Sequence, residues 1–241
     1  MTAISENEGI QMLRGASGSQ LMDDAFIEEC IWRMGVDGKR PEEHPKGREK
    51  YLDTGLRICQ HPRQFAKYLC RLGRHPRIPA TYVELGVLFG GCFIATTEYL
   101  RQTWRLATAT AVDIEEEPEA IRCFRDEMRG SVLVQYKQMD LASASFRAWI
   151  TTGDKYGLAM IDAEHTCDAV LRDFANVLST SATVAFHDIV HFWAHGEVAR
   201  AWEEIRRSQH FFDHTEFLDQ YPDVTKRTGH MAMGIGLMEP L

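Results

Sequence analysis

The stretch Thr81–Leu100, TYVELGVLFGGCFIATTEYL, decides the fold. Tyr82-Val83-Glu84-Leu85 is a short β-prone run, Gly86 and Gly90-Gly91 punctuate a tight connection, and Cys92–Leu100 continues as a helix. The pattern is strand, glycine turn, helix. Gly86 permits a turn with positive φ, while Gly90 and Gly91, having no Cβ, let a ligand approach the main chain and the free N–H groups of the first helical turn. Such a corner suits a nucleotide-like small molecule. The dinucleotide fingerprint reads G-x-G-x-x-G, whereas the spacing here is G-x-x-x-G-G with Glu84 two residues ahead of it. A carboxylate beside the turn favours a cationic ligand over a diphosphate, because two anions repel at close range.

Ala107–Ile114, ATATAVDI, reads as a second buried strand and ends in Asp113, just before the acidic helix start Glu115-Glu116-Glu117-Pro118. An acid at that place accepts both hydroxyls of a ribose held over the first turn. In these residues the chain resembles the class I S-adenosylmethionine-dependent methyltransferases, with Glu84-Leu85-Gly86 and Gly90-Gly91 as their first motif and Asp113 as the ribose-binding acid. The resemblance runs from about Thr81 to the C-terminus. It implies an α/β fold, a Rossmann-like doubly wound sheet that is mostly parallel with an antiparallel final strand, preceded by N-terminal helices. It also implies S-adenosylmethionine as cofactor, bound by Glu84, Gly86, Gly90, Gly91, Asp113, Asp140 and Asp162, with Asp140 on the adenine side.

Composition points the same way. A chain of 241 residues, 44% hydrophobic, buries one good-sized core and carries at most a small appendage. Net charge is −8, from 27 basic and 35 acidic residues without a long Lys/Arg run, which argues against nucleic acid or anionic membranes as partners and for a small molecule. The start, MTAISENEGI, lacks a basic-then-apolar signal pattern, and no run of about 18 apolar residues occurs, so a cytoplasmic location is expected. Six cysteines contain no C-x-x-C pair, which removes a zinc knuckle or thioredoxin-like pair. Cys92 opens the first helix, where a thiolate is favoured; a Ser-like lining residue is the plainer reading.

Two regions are expected, residues 1–75 and 76–241. Residues 1–20 read as a mobile arm, Leu21–Met34 as a helix with Met22, Phe26, Ile27, Ile31 and Trp32 in one stripe, and 35–49 as a loop. Further helices are expected from Tyr51 and near Pro62. These helices either cover the active-site mouth or buttress the sheet or a subunit interface. Beyond a linker at 74–79, strands at 132–137, 158–161 and 182–186 alternate with helices, and strands at 211–218 and 231–238 close the sheet. Polar residues cluster where the strands end, the ligand edge of an open parallel sheet.

Ile161-Asp162-Ala163-Glu164-His165 and Phe186-His187-Asp188 end adjacent strands, so Asp162, His165, His187 and Asp188 should converge. Two carboxylates, Asp162 and Asp188, suit a hard divalent cation such as Mg²⁺, and His187 as a third ligand shifts the preference toward Mn²⁺. The arrangement resembles the metal-dependent O-methyltransferases of natural-product sugars and their cephalosporin-hydroxylase-like relatives. There an Asp-x-x-His supplies a metal ligand and a general base and an acidic pair ends the fifth strand; here His187-Asp188 stands in place of Glu-Asp. His165 is the candidate base, its ordinary pKa of about 6.5 lying near working pH. His187, His191 and His195 recur every fourth residue, but no H-E-x-x-H accompanies them, and His191-Phe192-Trp193 reads as a loop over the site. The expected activity is methyl transfer from S-adenosylmethionine to a hydroxyl of a small sugar-like or polyol-bearing secondary metabolite. The rivals are a non-catalytic nucleoside-binding scaffold and a metal-dependent hydroxylase- or hydrolase-like enzyme.

Overall fold

A computed structural model describes residues 3–75, 80–104, 106–153, 155–190 and 196–241. Seven strands, β1 (Thr81–Leu85), β2 (Thr108–Asp113), β3 (Leu133–Gln138), β4 (Tyr156–Ile161), β5 (Ser181–Phe186), β6 (Phe212–Phe217) and β7 (Ile235–Pro240), form one sheet in the order β3-β2-β1-β4-β5-β7-β6. β1 to β5 run parallel, and β7 is antiparallel to both of its neighbours, β5 and β6. The order reverses at β1, so β1 and β4 flank the switch point where ligands enter open α/β sheets.

Strand periodicity assigns the two faces. Tyr82 packs with Ala109, Ala111, Leu158 and Met160 against α1 (Glu8–Arg14), α3 (Asp24–Met34), α4 (Pro62–Arg74), α5 (Gly91–Thr103) and α6 (Glu119–Glu127). Val83 and Leu85 point the other way, with Val112, Ala159, Ile161 and Phe186, toward α7 (Ala144–Thr152), α8 (Cys167–Leu178) and α9 (Glu197–Ser208). Both faces are covered, as parallel strands require.

The N-terminal region departs from expectation in two places. Residues 4–14 are not a loose arm: Ile4, Ile10 and Leu13 are buried in the core shared with the sheet, and Asn7 caps α1 by accepting from Ile10 N. The helix expected from Tyr51 is a single 3₁₀ turn, Glu49–Tyr51, followed by chain in which Asp53, Gly55 and Arg57 all take φ above +50°. Three left-handed residues in five cannot continue a right-handed helix. Instead the segment folds back on α3: Val36 bridges to Leu52 and Ile58, and Gly35 ends α3 at φ +99° where a Cβ would meet the Thr54 carbonyl oxygen. α2 (Gly18–Leu21) is separate from α3, because Asp23 caps α3 through Ala25 N and Phe26 N. α10 (Pro222–Thr228) occupies the β6–β7 connection.

Candidate active site

Register brings the site residues together. Leu85 pairs with Val112 and Ile161, and Ile161 with Phe186. The ladder runs one residue further through Gly86 N to Val112 O (2.8 Å), Asp162 N to Leu85 O (2.8 Å) and His187 N to Ile161 O (3.2 Å). Gly86, Asp162 and His187 therefore leave their strands side by side. At Gly86, φ is +84° and a Cβ would lie 2.2 Å from the Asp162 carbonyl oxygen, so only glycine lets the β1 turn pass the end of β4. A cavity of about 630 Å³ opens at this edge, within the range that takes a drug-sized ligand. All the site residues expected from sequence line it except Gly90.

The two later glycines serve the chain itself. Gly90, at φ +85° just before α5, faces Ile121 of α6, where a Cβ would come within 2.5 Å of the side chain. At Gly91 a Cβ would lie 2.4 Å from the Leu56 carbonyl oxygen. The Cβ directions at these two positions are thus occupied by α6 and the N-terminal segment, while Gly91 still lines the cavity. Asp113 also has work within the protein: Oδ2 accepts from Val87 N (2.8 Å) and Leu88 N (3.1 Å), and Oδ1 from Glu115 N (3.2 Å). A carboxylate offers about four lone-pair sites, so a ribose diol reaching Asp113 must compete with the turn. Asp140 is exposed and accepts from Ala142 N at 2.8 Å, shaping the entry to α7. Cys92 is buried, and burial pushes its thiol well above the ordinary range, away from thiolate character.

Glu84 shares the Tyr82 face of β1, is buried, and accepts a hydrogen bond from the Tyr82 hydroxyl. Burial raises its pKa to about 8, with the nearby Asp162 acting in the same sense. The anion expected beside the turn is therefore largely a neutral acid at neutral pH.

The polar cluster centres on Asp162. Its Oδ1 lies 2.9 Å from His187 Nδ1 and 3.3 Å from His165 Nε2, and its Oδ2 accepts from Gln60 Nε2 at 3.1 Å. Asp188 Oδ2 stands 3.5 Å from His165 Nε2, and Asp188 Oδ1 stands 3.6 Å from His187 Nε2. Asp188 adopts φ +59°, a strained backbone of the kind found at functional positions. Burial works against charge on Asp162, but the charge of His187 and the hydrogen bonds from both imidazoles outweigh it and hold the carboxyl at about 2. Burial likewise opposes charge on His187, yet Asp162 and Asp188 raise it to about 9. His165 is raised above the ordinary histidine value by its hydrogen bond to Asp162. Its side chain is 41% exposed, open to the cavity, whereas that of His187 is 5% exposed.

Asp162, His165 and His187 have ligand atoms within 4.8 Å of one another. This set differs from the one expected: His165 joins it and Asp188 stands outside it. The donor set of one carboxylate and two imidazoles fits a divalent cation, whose binding would require His187 to give up the proton that Asp162 and Asp188 favour. The mixed imidazole–carboxylate donor set suits Mn²⁺ better than Mg²⁺. Gln60 was not legible in the sequence, since it lies 102 residues from the carboxylate it contacts. Arg57, stacked 3.7 Å over the Phe89 ring on the cavity wall, was equally hidden. His191-Phe192-Trp193 and His195 lie outside the described residues.

By sequence, the chain matches no family model and no curated protein. By structure, it is similar to the O-methyltransferase NovP, with 14% identity over 91% of this chain and 100% of that one, at a TM-score of 0.55. It is similar to the O-methyltransferase TomG of Streptomyces achromogenes, involved in tomaymycin synthesis and solved with S-adenosylmethionine (16% identity, 80% and 86% coverage, TM-score 0.53). A third is the Podospora anserina methyltransferase PaMTH1, solved with S-adenosylhomocysteine (13% identity, 76% and 80% coverage, TM-score 0.51). Among the described residues, no helix is long and apolar enough to cross a membrane. In its strand order, its switch point at β1 and its reversed β7, this chain has the fold of the class I S-adenosylmethionine-dependent methyltransferases.

Proposed function

We propose that the chain is an S-adenosylmethionine-dependent O-methyltransferase acting on a hydroxyl of a small sugar-like or polyol-bearing natural product. One observation carries the reading: the β1 glycine turn and the imidazole–carboxylate cluster open into the same cavity. The description of TomG and NovP as O-methyltransferases, and of TomG as acting in tomaymycin synthesis, supports it.

S-adenosylmethionine, when bound, supplies a methyl group activated by its sulfonium. The chain's residues then have to hold the acceptor oxygen in line and take its proton. Glu84, Gly86, Asp113, Asp140 and the adjoining edge of Asp162 form the cofactor side. His165 is the base. Because ionised Asp162 only accepts hydrogen bonds, His165 Nε2 carries a hydrogen toward it and the lone pair of the neutral ring is on Nδ1. Nδ1 takes the hydroxyl proton, and Asp162 and Asp188 stabilise the imidazolium that forms. The N-terminal segment 36–60 supplies the remaining wall and selects the acceptor.

The convergence of Asp162, His165 and His187 favours a second reading. A divalent cation held by Asp162, His165 and His187 would lower the pKa of the acceptor hydroxyl, and His165 would then be a ligand instead of the base. Release of S-adenosylhomocysteine, followed with a panel of glycosylated and polyol natural products before and after chelation, tests both. Full turnover in excess chelator supports His165 as base, and loss restored by Mn²⁺ supports the cation. Absence of product with every acceptor, with or without metal, would count against the transferase itself.

A further inference from the structure

Gln60 contacts the centre of the cluster from a remote part of the chain. It is 1% exposed and immediately precedes His61, the residue before α4. Its Nε2 donates to Asp162 Oδ2 while Asp162 Oδ1 is shared by the two imidazoles. The orientation of the amide follows from chemistry: an ionised carboxylate cannot donate, so the NH₂ group must face it. Oε1 is then buried with no partner. An amide with one half unmet is a poor packing residue, because a methionine of similar size would fill the space without burying an unsatisfied carbonyl. Gln60 therefore accepts one unmet carbonyl in order to place its N–H on Asp162.

The segment that delivers it is held on both sides. Leu56 N donates to Met34 O (2.8 Å), Ile58 N to Gly35 O (2.8 Å), and Asp37 N to Ile58 O (3.0 Å), which ties the segment to the end of α3. On its other side the Leu56 carbonyl rests on Gly91 at the start of α5, where no Cβ could be accommodated.

We propose that Gln60 is a positioning residue: its N–H bond to Asp162 Oδ2 stops the carboxylate from rotating and keeps Oδ1 shared between His165 and His187. The N-terminal segment thereby forms part of the working site. The proposal rests on the reading of this cluster as the active site, but its test needs no acceptor. Ring-nitrogen NMR of the histidines and thermal unfolding are compared between the wild-type protein and Gln60→Met. The His165 and His187 resonances should shift while those of His75, His210, His214 and His230 hold, and thermal unfolding should remain a single cooperative transition. Gly91→Ala, which presses on the Leu56 carbonyl, should reproduce the shift of the same two histidines with Gln60 intact. Unmoved His165 and His187 resonances in either folded variant would overturn the proposal, and so would a Gln60→Met change that moves His75, His210, His214 and His230 as well, since that marks a residue holding the fold at large. Failure of S-adenosylhomocysteine to bind the wild-type protein would overturn the methyltransferase reading alone and leave the ring shifts to decide on Gln60.

Discussion

His165 is exposed enough to meet an acceptor and is bonded on its far side to an anion, the combination a general base needs. His165→Ala should lower turnover by roughly 10²–10⁴ with S-adenosylhomocysteine affinity retained. Asp162 raises the His165 pKa, and the base works only in its neutral form, so the rate should rise with pH through a value above that of an ordinary histidine. A pH–rate profile that is flat from about pH 6 to 9 would remove the role. At the same scale, the glycines show what a motif does and does not say. Gly86 is required by the close pass of its own backbone over Asp162, whereas Gly90 and Gly91 are required by Ile121 and Leu56, contacts that no spacing of glycines discloses.

At the scale of elements, the alternation of strands and helices from Thr81 onward was legible because each strand is short, apolar and ends in a polar residue. Parallel pairing then forces Asp162 and His187 together once Leu85, Ile161 and Phe186 share a register. The N-terminal elements were not legible, because their shape comes from left-handed residues at Asp53, Gly55 and Arg57 and from backbone bonds to α3, neither of which has a periodic signature. The strand-end ion pair predicts how stability depends on pH. His187, raised from 6.5 to about 9, contributes stability that is whole below pH 6.5 and is lost as pH rises through about 9. Glu84, an acid raised from 4.5 to about 8, adds to the alkaline loss, since the unfolded chain ionises it more readily. Asp162, lowered from 3.8 to about 2, contributes above pH 3.8 and is lost as pH falls through about 2. Urea midpoints should therefore decline from about pH 4.5, where Glu84 begins to contribute, to about pH 9, and Asp162→Asn should flatten the part of the decline above about pH 6.5 that belongs to His187. An unchanged slope in the variant would mean that the two side chains are not paired in solution.

At the scale of the whole molecule, the N-terminal third is built into the sheet's own core. It shares one core with the sheet through Ile4, Ile10, Leu13, Ile27 and Ile31, and it lays Arg57, Cys59 and Gln60 along the cavity opposite the strand ends. In the proposed function, cofactor corner, proton acceptor and acceptor wall would come from three distant parts of the sequence that a single cavity joins. The proposed activity requires that cavity to take the cofactor. Calorimetric titration with S-adenosylhomocysteine is the direct measurement. The expected result is saturable binding at one site per chain, weakened about tenfold or more by Asp113→Ala, which removes a charged acceptor of hydrogen bonds from both the turn and the ribose. A folded wild-type protein that takes up no S-adenosylhomocysteine would contradict it.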